Sequence, residues 1–170
     1  MSMKIENVCW MCASSGGSCC VNMQIYLTGG DIDRIAAGTG NRDFIRYEEP
    51  WSWCERDAED PVWMEHVLSC DRRRVVRRWK NGTCHFLGER GCVLDLETRP
   101  LVCRLYPYEY ALEGILGLHS GCPASRSIQP ERDLEEMGMR SDRVKAWRSA
   151  LYEELADSRR SRRRKRGARV

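Results

Sequence analysis

The pattern of apolar and polar positions changes along the chain. Up to about residue 122 the apolar runs are short and end at glycine, proline or asparagine, which predicts short strands, turns and small helices. Helical spacing follows, first over residues 130–138 and then in a longer helix that begins at Ser141. Its apolar stripe consists of Val144, Trp147, Leu151 and Leu155. The pattern therefore predicts an α+β fold, a small domain of short hairpins and helices with a helical C-terminal arm.

Local signals predict further helices before residue 110. Thr28 and Asp31 have the spacing of a capping box, so a helix is expected to begin there and to end at Gly38. A short helix is predicted over residues 42–47. Another is predicted to be capped by Thr98, with a proline in its first turn.

Strand signals fall between these helices. Short strands are predicted over residues 23–27 and 92–96. The Asn81-Gly82 dipeptide between two β-rich runs predicts a hairpin turn. A second hairpin is predicted around Gly114.

Ten cysteines in 170 residues set the chemistry. No basic and apolar leader precedes them, and no apolar run approaches the roughly 18 residues of a membrane span. We therefore expect a cytoplasmic protein in a reducing compartment. There a dense cysteine set indicates metal binding or redox chemistry before it indicates disulfides.

Charge is distributed unevenly along the chain. The formal net charge is +3, but residues 159–170 hold eight Arg and Lys and no acid, which leaves −5 for residues 1–158. We expect this basic tail to be disordered when free. It is a candidate for weak contact with nucleic acid or another polyanion, and an acidic protein partner is the alternative.

The cysteine spacing favours metal ligation. Cys9 and Cys12 form a C-x2-C step, the spacing at which one turn directs two thiolates to one metal. Cys19 and Cys20 are adjacent and cannot easily pair, because neighbouring Cα atoms are about 3.8 Å apart and a relaxed disulfide needs about 4.4 Å. Eight thiolates suit two four-ligand sites, or one cluster plus a zinc ion. The predicted ligands are Cys9, Cys12, Cys19, Cys20, Cys84, Cys92, Cys103 and Cys122.

Two longer motifs carry a family resemblance. The first is "GGSCC" followed by "YLTGGDIDRIAAGTG", and the second is "CHFLGERGCVLDLETRPLVCRLYPYEY" with a closing "GCP". Over roughly residues 9–125 the chain resembles the YkgJ-type cysteine-cluster family, also described as a zinc- or iron-chelating domain. The resemblance implies a bound metal, either zinc or an iron–sulfur cluster such as 4Fe-4S. One branch of the family resembles flagellin lysine methylase. Cys54 and Cys70 lie outside the motifs, and we expect them to be packed thiols.

Side chains beside the ligands are candidates for tuning the site. Four thiolates on one zinc ion carry about −2 formal charge, which needs compensation when buried. Arg99 and Arg104 flank Cys103 and are predicted to supply it. Tyr106 is predicted to donate a hydrogen bond to sulfur or to a carbonyl. His85 is expected to point away from Cys84, on the opposite face of its strand.

Three regions and three classes of function follow. Residues 1–125 are predicted to form the metal-binding domain, 126–158 the helical arm and 159–170 the basic tail. The first class is a metal-cluster protein that transfers electrons, delivers metal or cluster, or serves as an accessory subunit to a protein partner. The alternatives are a cluster-dependent enzyme, redox or methylase-like, and a zinc-stabilised interaction module with a polyanion-binding tail.

Overall fold

The computed structural model describes residues 19–51, 60, 62–63, 68–69, 72–89 and 91–167, with side chains up to residue 157 apart from 68 and 69. The helices are α1 (Gly29–Thr39), α2 (Leu101–Leu105), a 3-10 helix (Pro123–Arg126), α3 (Pro130–Glu136) and α4 (Ser141–Gly167). The strands are β1 (Ile45–Glu48), β2 (Leu68–Ser69), β3 (Arg72–Val76), β4 (Leu87–Gly88), β5 (Gly91–Cys92), β6 (Tyr108–Ala111) and β7 (Gly114–Leu118).

All strand pairs between these elements are antiparallel. The largest sheet has the order β1-β3-β2, with Ile45 opposite Val76 at one end of the β1–β3 ladder. β4 pairs with β5, and β6 pairs with β7, as two separate hairpins. Helices and short antiparallel hairpins followed by a C-terminal helix confirm the predicted α+β fold class.

The predicted capping box at the start of α1 is confirmed. The Thr28 hydroxyl accepts from the Asp31 N–H at 3.0 Å, and the Asp31 carboxylate accepts from the Thr28 N–H at 3.0 Å. The helix continues past Gly38 and is capped by Gly40, whose φ of 74° is left-handed. Glycine adopts that conformation without steric cost, which is why the helix ends there.

One predicted helix is wrong, and the helix predicted to be capped by Thr98 is present but begins later, as α2. Residues 42–47 do not form a helix, because Ile45–Glu48 instead forms β1 along β3. A six-residue helix is marginal in isolation, so the ladder with β3 decides the conformation. Thr98 is not a cap. It lies in a turn in which its N–H donates a hydrogen bond to the Asp95 carbonyl at 2.8 Å. Pro100 directly precedes α2.

The predicted strands are shorter than expected. In residues 23–27 only Tyr26 forms a bridge, with Val75, although the Leu27 N–H also donates to the Arg74 carbonyl at 2.9 Å. Within residues 92–96 only Cys92 belongs to a strand. The first segment has few continuous ladder partners, and in the second Val93 and Leu94 form a bend and Leu96 lies in a turn.

Both predicted hairpins are confirmed as turns. Gly82 has a φ of 82°, and Trp79 and Thr83 are joined by an N–H···O bond of 2.8 Å across the turn. Around Gly114, β6 and β7 form a hairpin in which Ala111 faces Gly114.

Two hydrophobic clusters form the interior. The helical core consists of Trp63, Leu101, Leu105, Ala124, Leu134, Met139, Val144, Trp147, Leu151, Tyr152 and Leu155. The thiol-side core consists of Ile25, Leu27, Ile32, Ile35, Phe44, Val76, Cys84, Phe86 and Leu94. All four residues of the predicted stripe on α4 are buried in the helical core.

The C-terminal helix is longer than predicted. α4 continues to Gly167, so the backbone of residues 159–167 is helical where the sequence predicted a disordered tail. Arg and Lys have high helix propensity, and extending a helix is easier than starting one. The division of the chain at residues 125 and 158 stays a prediction. Among the helices of the described residues, none is both long and apolar enough to cross a membrane.

Candidate metal centre

Four of the predicted ligands come from separate segments and meet at the thiol-side core. Cys84 belongs to this core, and Cys20, Cys92 and Cys103 pack against it. The Cys84 N–H donates to the Cys20 carbonyl at 2.7 Å, which joins the first segment to the hairpin. Cys92 is in β5, paired with Leu87 of β4. α2 supplies Cys103. We call these four residues the four-thiol group.

The thiols of this group influence one another. The pKa of Cys84 is raised to about 12, mainly by burial, and the charges of Cys20 and Cys92 contribute to that rise. Burial also raises the pKa of Cys103 well above its ordinary value, with Cys84, Cys20, Cys92 and then Asp31 adding to the effect. A thiolate in this environment is costly without a cation, because buried charge is poorly solvated and repels neighbouring anions.

The geometry is that of neighbouring thiols without a closed coordination shell. Among the residues the structure describes, no three His, Cys, Asp or Glu side chains have the arrangement of a metal site. No disulfide joins any two of the six cysteines in this part of the chain. The donor type nevertheless fits, since four thiolates are the ligand set of zinc and of iron–sulfur clusters.

Arg99 lies beside the four-thiol group. Burial raises the pKa of Cys92, and the charge of Arg99 and its hydrogen bond to the thiol oppose that rise. The Arg99 Nε also donates to the Leu94 carbonyl at 3.0 Å, which fixes the position of the side chain. The placement supports the predicted role of Arg99 as a compensating charge.

Arg104 is placed differently. Its guanidinium is buried and forms an ion pair with Glu97 at 3.0 Å, and its Nε donates to the Arg99 carbonyl at 2.8 Å. Burial and then the charge of Arg34 lower the pKa of Arg104. These contacts hold the loop over residues 97–99, so Arg104 supports the segment that carries Arg99. Its role as a compensating charge stays a prediction.

Tyr106 lies near His119. The hydroxyl is 3.3 Å from His119 Nδ1, and the two rings are 5.6 Å apart between centroids. A hydrogen bond from Tyr106 to a ligand stays a prediction.

Of the other four predicted ligands, the structure describes Cys19 and Cys122. Cys122 packs against the helical core, and its N–H donates to the His119 carbonyl at 3.2 Å. Cys19 is half-buried and precedes Cys20 in a turn. Cys9 and Cys12 lie outside the described residues, as do Cys54 and Cys70. The ligand roles of Cys9, Cys12, Cys19 and Cys122 stay predictions.

The sequence analysis missed the importance of Asp31 beyond its capping role. This carboxylate is fully buried and accepts the Leu101 N–H at 3.0 Å, at the start of the helix that carries Cys103. It also pairs with Arg34 at 2.6 Å, and Arg34 pairs with Glu154 of α4 at 2.5 Å. Asp31 therefore ties α1, α2 and α4 together beside the thiols. An Asp at the capping position, where Glu is preferred, was the available signal.

A small cavity lies between the two cores. Its lining consists of Tyr26, Leu27, Thr28, Trp63, Arg74, Val102 and Leu155. No cysteine belongs to this lining, so the cavity does not open onto the four-thiol group.

One buried and three partly buried cysteines from distant segments, with Arg99 beside one of them, are donors of the kind that bind a metal as thiolates. The family model for CxxCxxCC proteins, described as "Putative zinc- or iron-chelating domain", matches residues 8–123. This range is more than half of the chain, and the chain belongs to that family. The match confirms the resemblance seen in the motifs and supports metal binding by a cysteine cluster. No curated protein and no solved structure matches the chain.

Proposed function

We propose that the four-thiol group holds an iron–sulfur cluster or a zinc ion, and that the chain is a metal-cluster protein and not a hydrolytic enzyme. The single observation that carries this proposal is the convergence of Cys20, Cys84, Cys92 and Cys103 on one core. Free cysteines also pack against cores as small apolar side chains, but a shared metal accounts for four of them arriving at one core from distant segments.

The charge beside the four-thiol group also supports metal binding there. Arg99 places one positive charge beside Cys92, which reduces the excess negative charge of four thiolates. Zinc would supply a structural cross-link, and an iron–sulfur cluster would supply one-electron redox chemistry. Burial of the ligands would slow exchange with solvent and would help to set a reduction potential.

The burial of the four cysteines also helps to distinguish a retained metal centre from one that is delivered to another protein. A centre that is handed to another protein needs ligands that an incoming thiolate can reach. Cys84 is only 6% exposed, and Cys20, Cys92 and Cys103 are partly buried. This supports a retained centre, used for electron transfer or in an accessory subunit, over delivery of metal or cluster. The cavity lined without cysteines gives little support to the alternative of a cluster-dependent enzyme.

Metal analysis of anaerobically purified protein tests the proposal. Iron, acid-labile sulfide and zinc would be measured per chain, together with the absorption spectrum. Cys84→Ser and Cys103→Ser are expected to lower metal content strongly. Cys122→Ser is the matched comparison, because Cys122 packs against the helical core, and it should leave the metal of the four-thiol group in place. Equal loss in all three variants, or no metal in the unchanged protein, would refute this assignment.

The remaining predicted ligands form a separate question. Cys9, Cys12, Cys19 and Cys122 would supply four further thiolates, enough for a second ion or cluster. In that case Cys122→Ser removes part of the metal and leaves the rest. Cys54→Ser and Cys70→Ser are the controls, since both cysteines lie outside the motifs, and we expect them to keep all metal.

The basic tail adds a possible electrostatic attachment. Eight charges over residues 159–170 that neutralised eight phosphates of duplex DNA would give a log–log salt slope of about −7. An acidic protein partner would show a weaker salt dependence and a defined stoichiometry. Replacing Arg162, Arg163 and Arg164 with glutamine should reduce the slope and leave metal content unchanged.

A further inference from the structure

The hairpin that carries Cys84 has an outer face with a different composition. The His85 N–H donates to the Arg77 carbonyl at 2.9 Å, and Trp79 pairs with Thr83 nearer the turn. Neighbouring side chains on a strand point to opposite faces. Cys84 is buried in the thiol-side core, whereas His85, Arg77 and Trp79 contact one another on the outer side.

An indole is the centre of this face. Trp79 is 50% exposed, an unusual degree for so large an aromatic side chain. The His85 ring stacks on it at 5.3 Å between centroids with an interplanar angle of 29°, and the Arg77 guanidinium carbon is 5.0 Å from the indole centroid. Arg77 Nη2 and His85 Nδ1 are 2.9 Å apart. Because these two groups contact each other, we place both on one side of the indole, and half of the Trp79 surface is exposed.

The charges around the indole are mainly positive. Lys80 is exposed in the turn, directly after Trp79. Arg46 of β1 is exposed and lies near His85. One acidic residue, Asp43, is also exposed and also lies near His85. The outer face therefore combines an open aromatic surface with three nearby cations.

We propose that this face, formed by Arg46, Arg77, Trp79, Lys80 and His85, binds single-stranded nucleic acid. An unpaired base would stack on the open side of Trp79, and its flanking phosphates would contact Arg46 and Lys80. Aromatic surfaces combined with positive charge are how sequence-tolerant single-strand binders work. Duplex DNA does not expose base faces, and an acidic peptide would use the charges without needing the indole. The proposal depends neither on the identity of the metal nor on the basic tail.

The test uses the full-length, metal-loaded protein and a fluorescein-labelled oligodeoxythymidylate of about 12 nucleotides. Fluorescence anisotropy would be measured at about 50 and 200 mM salt, because phosphate contacts weaken with salt. Trp79→Leu keeps an apolar side chain and removes the indole, and we expect it to weaken binding about tenfold or more. Trp79→Phe keeps an aromatic ring and should retain most of the affinity.

Charge-matched variants separate this face from general attraction. Arg77→Gln removes a charge beside Trp79 and should weaken binding severalfold. Arg132→Gln removes the same charge from α3, where that side chain is 70% exposed, and should change affinity less than twofold. Each variant is compared with the unchanged protein for melting temperature and metal content, so that misfolding is recognised.

Three results would overturn the proposal. The first is absence of binding to the oligonucleotide at about 50 mM salt. The second is equal affinity of Trp79→Leu, Trp79→Phe and the unchanged protein, which would assign all binding to charge, including the basic tail. The third is equally strong binding of polyglutamate that Trp79→Leu weakens to the same extent, which would indicate an acidic protein segment as the ligand. Loss of metal in Cys84→Ser bears on the proposed metal centre alone.

Discussion

The helical core and the thiol-side core are held together by different means. Leu105, Leu134 and Leu151 of the helical core have no exposed surface, and α4 provides a continuous backbone for much of it. The thiol-side core also has fully buried members, Ile35 and Phe44, but Cys84 lies in a single bridge and Cys92 in a two-residue strand. The first core is complete through apolar packing. The second also encloses thiols that packing alone does not account for.

The two cores share the short helix α2. Leu101 and Leu105 pack in the helical core, while Cys103 between them packs against the thiol-side core. The Asp31 carboxylate accepts a hydrogen bond from the first N–H of this helix. Arg34 forms ion pairs with both Asp31 and Glu154 of α4. One side is therefore stabilised by apolar packing, the other combines apolar packing with four thiols, and a buried carboxylate connects the two.

Removing metal should have the largest effect. A structural zinc site contributes on the order of 10–16 kcal/mol in small domains, comparable with the whole stability of many proteins. After chelation we expect amide protection to fall around β4, β5 and the Trp79–Thr83 turn, and to persist over residues 144–155 of α4. Hydrogen exchange and thermal melting measure this. A metal-free protein with an unchanged melting curve would contradict it.

Leu151→Ala tests the opposite side. The side chain is fully buried in the helical core, so truncation should cost about 2–5 kcal/mol of unfolding free energy. Denaturant unfolding of the metal-loaded protein measures the loss. Leu116→Ala is the control, because Leu116 is 68% exposed, and it should change stability by less than about 0.5 kcal/mol. Similar losses in both variants would mean that the helical core is not packed as described.

Asp31→Asn tests the connection between the cores. The substitution removes the charge that pairs with Arg34 and weakens the acceptor for Thr28 and Leu101, so we expect a loss of about 1–3 kcal/mol. Amide protection should fall in both cores together. Asp33→Asn, on the same helix but with its side chain 74% exposed, should cost about 0.5 kcal/mol or less. A loss of protection confined to one core would show that Asp31 does not couple them.

Substitution of Arg99 or Arg104 should give the smallest effects. The first should change the rate of metal loss and the second the melting temperature. Arg99→Gln removes the charge beside Cys92, and we expect metal transfer to a chelator to become about two- to fivefold faster, as for a charge pair worth about 0.5–1 kcal/mol. Arg104→Gln loosens the loop over residues 97–99 and should lower the melting temperature with less effect on that rate. Reversed results would assign charge compensation to Arg104.

Structural features that depend on a few neighbouring residues were predicted correctly from the sequence. The capping box at Thr28 and Asp31, the Asn81-Gly82 turn and the apolar stripe on α4 all lie where the sequence placed them. Each is decided by local hydrogen bonds, by the φ angle of a glycine or by helical periodicity. The chain near the turn therefore needs no distant partner to specify its conformation.

For residues 42–47 the local sequence pattern predicted the wrong secondary structure. Their apolar spacing suits a short helix, yet β3, from a distant part of the sequence, supplies the hydrogen-bond partners that make Ile45–Glu48 a strand. The end of α1 also differs from the prediction, because the left-handed conformation that ends the helix is adopted by Gly40 and not by Gly38. Short segments have weak intrinsic preferences, and tertiary contacts decide between them.

By itself the sequence determined the fold class, the family and the set of cysteines from which ligands are drawn. Only the tertiary structure decided which thiols share one core, because spacing along a chain does not specify distance between segments. It likewise placed Arg99 beside Cys92 and turned Arg104 toward Glu97, although both arginines flank Cys103 in sequence. The direction of a side chain depends on the element that carries it and on the groups packed against that element, and neither is encoded in local spacing.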